Sequence, residues 1–224
     1  MVFNDELIFI HIGKTGGLSC ARYLLRQLRA PVYDCHRHAQ LEVLRLGLRG
    51  VTALTSVNRH CTLEEALALI EQTNGRRLED FAKVIAVIRH PYTLELSFYK
   101  HLQKPRVRHR RRGQDILELA DGDFATFVKE SGYHRPGHPQ EKFFRIDGQV
   151  PEQVELIRFE ELAETFPLAV QPYLKKQRWW RRATFPHKNA TRYSPTESSL
   201  LTPEVKSLIY QKHRFMFDSG LYER

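Results

Sequence analysis

Short apolar runs alternate with amphipathic stretches along most of the chain. Residues 6–12 (ELIFIHI) and 83–88 (KVIAVI) are continuous apolar runs rich in β-branched side chains, the pattern of a buried strand. Weaker runs of the same kind predict further strands at 31–35, 51–57 and 154–159.

The stretches between these runs carry helical signals. Residues 21–28 place apolar side chains at i, i+3, i+4 and i+7, which predicts a helix directly after the first strand. Residues 62–65 form a T-x-x-E capping box, and the helix that it begins can end at Asn74–Gly75. The other predicted helices cover 91–101, 124–131, 160–166 and a last segment that begins at Thr202.

This alternation predicts an α/β fold, a three-layer sandwich around a central, mostly parallel sheet. The 224 residues suit a single domain over 1–224, with no repeat and no clear boundary. The segments 104–112 (KPRVRHRRR), 133–149 and 186–195 are predicted to be loops, the first of them exposed and strongly basic.

The charge balance favours anionic partners. Thirty-five Lys and Arg residues against 26 Asp and Glu give a formal net charge of +9, which suits nucleotides, nucleic acid, acidic glycans or anionic membranes. The three cysteines lack CxxC spacing, so we expect no metal site, no disulfide framework and a reducing compartment. No secretory signal or membrane span is visible, and a cytoplasmic location is expected.

A glycine-containing loop joins the first strand to the first helix. Its sequence, residues 11–19, is HIGKTGGLS. Glycines allow close backbone approach to a ligand, and the N–H groups at a helix start favour an anion. Lys14 adds a positive charge, and Thr15 and Ser19 add hydroxyl donors. The loop therefore predicts a phosphate site, but not a Walker A loop, because its lysine precedes the glycines.

A second candidate site follows the strand at 83–88. Arg89 lies at the carboxyl end of that strand, where open α/β sheets bind ligands. Ser97 falls about two turns into the next helix, and an arginine fork with a hydroxyl suits a second phosphate.

Taken together, these segments resemble the sulfotransferase superfamily. Residues 11–19 are similar to the 5′-phosphosulfate loop of its carbohydrate branch, which has the form H-I-P-K-T-G-G-T-S. Residues 84–102 (VIAVIRHPYTLELSFYKHL) are similar to its 3′-phosphate segment, in which the arginine precedes the serine by eight residues. Residues 156–162 (LIRFEEL), 187–189 (HKN) and 217–222 (FDSGLY) resemble later family elements in the expected order.

The resemblance implies a P-loop-NTPase-like sulfotransferase fold and a donor, 3′-phosphoadenosine 5′-phosphosulfate (PAPS). Lys14 would stabilise the leaving phosphate, without a metal. The acceptor would be a hydroxyl, most simply on a glycan. Gly13 and Leu18 depart from the family pattern, which has proline and threonine at these positions. Leu18 removes one possible hydroxyl contact to the 5′-phosphate. The residues implied to bind PAPS are Lys14, Thr15, Gly16, Gly17, Leu18, Ser19, Arg89, Ser97, Lys188 and Arg192.

A hydroxyl acceptor also requires a base. We favour His60, which directly precedes the capped helix at 62–75, in the interval where the family often places its histidine. His36 and His38 are rivals, because they follow the predicted strand at 31–35.

Three other interpretations remain open from the sequence alone. A phosphate-loop kinase or another NTP-using enzyme is disfavoured by the position of the lysine and by the lack of an evident Walker B acid. A basic nucleic-acid-binding module would use the two basic runs at 104–112 and 175–182 and would not need Lys14. A catalytically inactive protein that binds PAPS or another nucleotide would keep the loops without turnover. The run at 104–112 could also contact an anionic acceptor such as a sulfated glycan.

Overall fold

The computed structural model shows an α/β architecture. It describes residues 1–35, 38–55, 58–133, 138–176, 185 and 199–224, and the strands of these residues form one six-stranded sheet. The strands are β1 (Val2–Phe3), β2 (Leu7–Ile10), β3 (Val32–Cys35), β4 (Val51–Leu54), β5 (Lys83–Ile88) and β6 (Val154–Arg158).

The strand order is β4-β3-β1-β2-β5-β6. β1 pairs antiparallel with both of its neighbours, whereas β2–β5, β5–β6 and β3–β4 are parallel pairs. Five strands therefore run in one direction, which confirms the predicted α/β class with its mostly parallel sheet. β2 and β5 are adjacent and both end at the carboxyl edge of this sheet.

Helices alternate with these strands along the chain. They are α1 (Gly17–Gln27), α2 (Ala39–Leu46), α3 (Leu63–Asn74), α4 (Pro91–Leu102), α5 (Pro105–Arg110), α6 (Asp115–Asp121), α7 (Phe124–Glu130), α8 (Leu162–Val170), α9 (Pro203–Lys212) and α10 (Arg214–Asp218). The boundary signals of α3 are confirmed, because Thr62 and Glu65 make both capping-box hydrogen bonds and Gly75 is left-handed at φ 70°.

Several predicted elements differ from the observed ones. The run at 104–112 was predicted as a loop, but residues 105–110 form α5, because proline suits a first helical turn and Val107 is buried. The predicted strand at 6–12 ends at Ile10, and the helix predicted at 160–166 occupies 162–170 instead. The elements that were not predicted are β1, α2, α6 and α10.

The contacts divide the chain into two compact units. The first comprises Met1–Ile88 and Phe143–Asn189, and the second comprises Arg89–Lys142 and Ala190–Arg224. The single domain expected from length and composition stays a prediction.

The core of the first unit lies between the sheet and two helices. Leu7 and Phe9 of β2 and Ile85 and Val87 of β5 project from one face of the sheet. They pack with apolar residues of α1 and α8, among them the fully buried Phe166. This packing fixes the start of α1 against the end of β2.

The second unit has its own apolar core. α4, α6, α7 and α9 contribute buried side chains to one cluster, in which the rings of Phe98 and Phe127 lie 5.5 Å apart. α4 is buried around most of its circumference, so the polar residues that it carries are held in fixed surroundings.

The three cysteines are buried free thiols. Burial raises the pKa of Cys35 to about 12, so this thiol stays protonated at neutral pH. None of the helices in the described ranges combines the length and the apolarity that crossing a bilayer requires.

Candidate functional site

The loop between β2 and α1 contains a non-glycine residue in the left-handed region. Lys14 has φ 66° and is half-buried, and Gly16 follows at φ 78°. A left-handed conformation costs a side-chain-bearing residue about 1–2 kcal/mol. Such residues cluster at functional sites, where the surrounding structure enforces the conformation. The geometry thus sets Lys14 apart from an ordinary lysine in a turn.

The hydroxyl of Thr15 has a structural partner. Thr15 is fully buried, and its Oγ1 donates to the carbonyl of Ile12 at 2.9 Å. This hydrogen bond joins two residues of the same loop. The hydrogen of the Thr15 hydroxyl is therefore engaged within the loop, whereas the sequence predicts it as a donor to a phosphate.

The two glycines are required by packing. A Cβ atom at Gly17 would overlap the imidazole ring of His11, and one at Gly16 would lie 2.8 Å from Cδ2 of Leu162. Leu162 belongs to the LIRFEEL segment singled out in the sequence, so this segment packs directly against the loop. Close approach of the backbone to a ligand is thus not the only reason for glycine here.

The N-terminus of α1 is suited to bind an anion. Gly16 occupies the N-cap position without a side-chain cap, and the first turn contains no acidic residue. The N–H of Ser19 bonds to the carbonyl of Gly16 at 2.9 Å, whereas Gly17 and Leu18 are the first helical residues, whose N–H groups have no intrahelical acceptor. Their partial positive charge and the helix dipole favour a phosphate or sulfate at this position.

His60 lies next to this helix start. Its Nδ1 is 2.9 Å from the carbonyl oxygen of His11, and the two imidazole rings are 4.7 Å apart. Because a carbonyl only accepts, Nδ1 of His60 must carry the proton, so in the neutral ring Nε2 is the basic nitrogen. The His11 ring in turn lies against Gly17. The structure thus brings His60 and the glycine loop together, as the sequence could not show.

Ion pairs hold the segment that contains His60 in position. Nη2 of Arg59 is 2.6 Å from Oε2 of Glu42, and the other oxygen of Glu42 is 3.4 Å from Nε of Arg22. Glu42 therefore links the His60 segment to α1 through α2. Glu42 has no signal in the sequence, because its partners lie 17 and 20 residues away and no local pattern connects them.

In the second unit, Arg89 is held by two groups. The arginine is buried, and its Nε donates to Oγ1 of Thr93 at 3.0 Å. Gln140 accepts from the backbone N–H of Arg89 at 2.8 Å and donates to its carbonyl at 2.7 Å. Both partners fix the residue that follows β5 in the chain. Thr93 could be predicted as a partner from the sequence, because it is the i+4 neighbour of Arg89 on a helix. Gln140 could not, because it lies 51 residues away.

Ser97 lies in α4, among buried polar groups. It is 5 % exposed. Two residues earlier, the carboxylate of Glu95 contacts Lys212 Nζ at 2.8 Å and His213 Nε2 at 2.7 Å. Burial alone would raise the pKa of Glu95, but the Lys212 ammonium and the hydrogen bond from His213 outweigh it and hold that pKa below its usual range. This cluster joins α4, which carries Ser97, to the end of α9.

Three predicted residues lie outside the described part of the chain, namely His36, Lys188 and Arg192. The remaining rival base, His38, is exposed and directly precedes α2. Leu18 is 36 % exposed on the first turn of α1. Across the described ranges, no group of three or more His, Cys, Asp or Glu side chains has an arrangement that could hold a metal ion.

Comparison with known proteins finds a structural likeness. No protein-family model and no curated protein matches the chain. The crystal structure of a sulfotransferase from Alicyclobacillus acidocaldarius is similar with a TM-score of 0.45 and 17 % sequence identity. The likeness covers 93 % of this chain and 96 % of that one.

Proposed function

We propose that this protein is a PAPS-dependent sulfotransferase with a P-loop-NTPase-like sulfotransferase fold, which transfers a sulfuryl group to a hydroxyl. The observation that carries the proposal is the placement of His60 beside the Lys14 loop at the uncapped start of α1. An anion site next to a histidine with a basic Nε2 supplies both requirements of transfer to a hydroxyl, a binding site for the leaving phosphate and a proton acceptor.

In this proposal, the loop that contains Lys14 holds the reacting end of the donor. The N–H groups of residues 15–18 and the hydroxyl of Ser19 bind the 5′-phosphate, and the ammonium of Lys14 neutralises the charge that develops on the leaving oxygen. PAPS supplies the sulfuryl group and leaves as PAP (3′-phosphoadenosine 5′-phosphate). Charge stabilisation at a leaving phosphate is most effective where protein dipoles replace water, and the half-buried position of Lys14 is consistent with this role.

Recognition of the 3′-phosphate is assigned to Arg89 and Ser97. Arg89 and Ser97 bind the 3′-phosphate, the group that distinguishes PAPS from ATP-like nucleotides. The planar guanidinium of Arg89 suits a phosphate because it donates two parallel hydrogen bonds. Lys188 and Arg192 are proposed to contact the phosphates of the same donor, on the resemblance alone.

His60 is proposed to take the proton from the acceptor hydroxyl. As the acceptor oxygen bonds to sulfur and the bond from sulfur to the phosphate oxygen breaks, the hydroxyl proton passes to Nε2. The hydrogen bond from Nδ1 to the His11 carbonyl orients the ring and stabilises the imidazolium that forms. The acceptor is proposed to be a carbohydrate.

The first test is whether the protein recognises the desulfated product, PAP. We expect PAP at about 100 times its dissociation constant to stabilise the fold by about 2.7 kcal/mol, a rise in Tm of about 5–10 °C for a chain of this size. Adenosine 5′-monophosphate, which lacks the 3′-phosphate, and ATP with Mg²⁺ should shift Tm much less. Differential scanning fluorimetry with the three ligands measures the difference.

The outcome also separates the alternatives. Equal shifts with PAP and ATP would contradict the role of Arg89 and Ser97. A nucleic-acid-binding protein would show no PAP shift. An inactive relative would show the shift but no transfer from radiolabelled PAPS to any member of a panel of glycans, phenols and lipid hydroxyls.

His60→Asn should separate the chemical role of this histidine from its structural role. Asparagine can still donate to the His11 carbonyl, but it offers no basic nitrogen. We expect kcat to fall by about 10²–10⁴, with Tm and PAP affinity close to wild type. Steady-state kinetics with the acceptor identified by the panel measures kcat.

His38→Asn is the matched control, since His38 is the rival base within the described residues and is exposed. It should keep wild-type turnover. A fully active His60→Asn enzyme together with an inactive His38→Asn enzyme would transfer the role of base to His38.

A further inference from the structure

The basic run at 104–112 is held in a fixed conformation by the second unit. Val107 of α5 is buried in the apolar core of that unit. Arg108 makes a two-pronged ion pair with Asp121 at the end of α6, with distances of 2.5 and 2.8 Å. One apolar and one ionic contact thus orient the short helix, and its other cations occupy defined positions on the surface.

The exposed basic side chains of this run have no ion-pair partner among the described residues. Lys104, Arg106, His109, Arg110 and Arg112 are exposed, and none of their side chains makes an ion pair or hydrogen bond with another described residue. We call these five residues the basic face. Arg106 and Arg110 are four positions apart on α5, a spacing at which like charges destabilise a helix. The arrangement therefore opposes local stability, as expected of a surface that binds an anion.

A cavity adjoins the basic face. Its volume is about 360 Å³, and its walls include His109 and Arg112 of the basic face together with Gln114, Leu117 and Glu118. The volume is within the range of small-ligand sites. Cationic, amide, carboxylate and apolar groups are thus combined in one concave surface.

This combination favours an anionic polysaccharide over a nucleic acid. Residues 104–121 contain no Phe, Tyr or Trp side chain on which a base could stack. Glu118 in the cavity can accept hydrogen bonds from sugar hydroxyls, and Gln114 can donate and accept them. A chain that alternates carboxylate or sulfate groups with hydroxyls matches both kinds of group.

We propose that the basic face and its cavity bind an anionic polysaccharide, whose uronate or sulfate groups pair with Arg106, Arg110 and Arg112. That this polysaccharide is also the sulfuryl acceptor depends on the proposed function; the binding itself does not. The assignment narrows the acceptor class from carbohydrates in general to glycans that already carry negative charge.

The test compares two triple variants that lose the same net charge. Arg106→Gln/Arg110→Gln/Arg112→Gln removes three cations of the basic face. The control, Arg26→Gln/Arg45→Gln/Arg49→Gln, removes three exposed arginines of the first unit. Fluorescence anisotropy measures binding to labelled oligosaccharides of heparin and of polygalacturonate, and to single- and double-stranded DNA, at about 100 mM salt.

We expect the Kd for at least one of the two glycans to rise at least about tenfold in the first variant and less than about threefold in the control. Equal weakening in both variants, or no binding of either glycan by the wild type, would overturn the inference. Tighter binding of DNA than of both glycans, lost only in the first variant, would assign the surface to nucleic acid and overturn it as well.

The PAP-induced rise in Tm is measured on the same three proteins. If PAP has no effect but glycan binding is lost only in the first variant, the proposed function fails and the polysaccharide site stands. The opposite outcome is that PAP raises Tm equally in all three proteins while the two triple variants bind the glycans with equal affinity. That result contradicts the polysaccharide site and leaves the proposed function standing.

Discussion

Lys14→Met is expected to leave the protein folded and to reduce sulfuryl transfer by a factor of about 10²–10³, as does removal of one preorganised donor at an oxyanion in other enzymes. Methionine keeps most of the aliphatic length of lysine, so the half-buried stem of the side chain still packs. What disappears is the positive charge proposed to neutralise the leaving phosphate. That charge matters most in the transition state, so kcat should fall more than the affinity for PAP.

The measurement is initial-rate kinetics with radiolabelled PAPS, together with the PAP-induced shift in Tm. Lys129→Met, a substitution of an exposed lysine on α7, is the matched control and should leave kcat unchanged. Wild-type turnover in Lys14→Met would remove the lysine from the mechanism. A large loss of PAP affinity at unchanged kcat would make it a ground-state binding residue instead.

The strands β2 and β5 were predictable because they are buried. Apolar runs located both to within two residues at each end, since burial on both faces leaves few polar interruptions. β6 was located to within one residue, although it is mostly half-buried and contains Glu155. β1 was not predictable in this way. It consists of Val2 and Phe3, too few residues for a period, and it forms because β2 and β3 provide hydrogen-bond partners on both sides.

The basic run shows a different limit of sequence analysis. Its charge predicted an exposed loop, and most of its side chains are exposed, but Pro105 and the single buried Val107 suffice to form α5. One apolar residue in nine gives no measurable helical periodicity. Tertiary packing of Val107 therefore decides the conformation, and the intrinsic pattern does not.

The candidate site was predictable where its residues are consecutive. Lys14, Gly16 and Gly17 lie in one loop, and the strand–loop–helix pattern placed that loop correctly. The reason for Gly17 could not be predicted, because His11 reaches it only after the chain has turned. The same holds for Gln140, whose side chain binds both backbone groups of Arg89 across 51 residues. Such contacts depend on the fold and leave no local signal.

The buried Glu95 cluster lies beside Ser97, one of the proposed 3′-phosphate residues, and contributes to the stability of the folded protein. Glu95 lies on α4 between Thr93 and Ser97, and Lys212 also donates to Oγ of Ser131 at 2.9 Å. The pKa of Glu95 is lowered in the folded protein, so its stabilising contribution is present above its unfolded-state pKa. That contribution is lost as the pH falls through the lower, folded-state pKa. We therefore expect the contribution of the cluster to the free energy of unfolding to decrease only at acidic pH.

Glu95→Ala is expected to destabilise the protein by about 3–5 kcal/mol, because it leaves Lys212 buried without a counter-charge. For a chain of this length, Tm should fall by about 10 °C. Thermal and urea unfolding at neutral pH measure the loss, and Glu164→Ala, at an exposed helical carboxylate, should change stability by less than about 1 kcal/mol. Glu95→Ala/Lys212→Met should recover much of the loss, since removing both members of a buried pair is far less costly than removing one. A double variant less stable than Glu95→Ala would contradict the ion pair as the source of the effect.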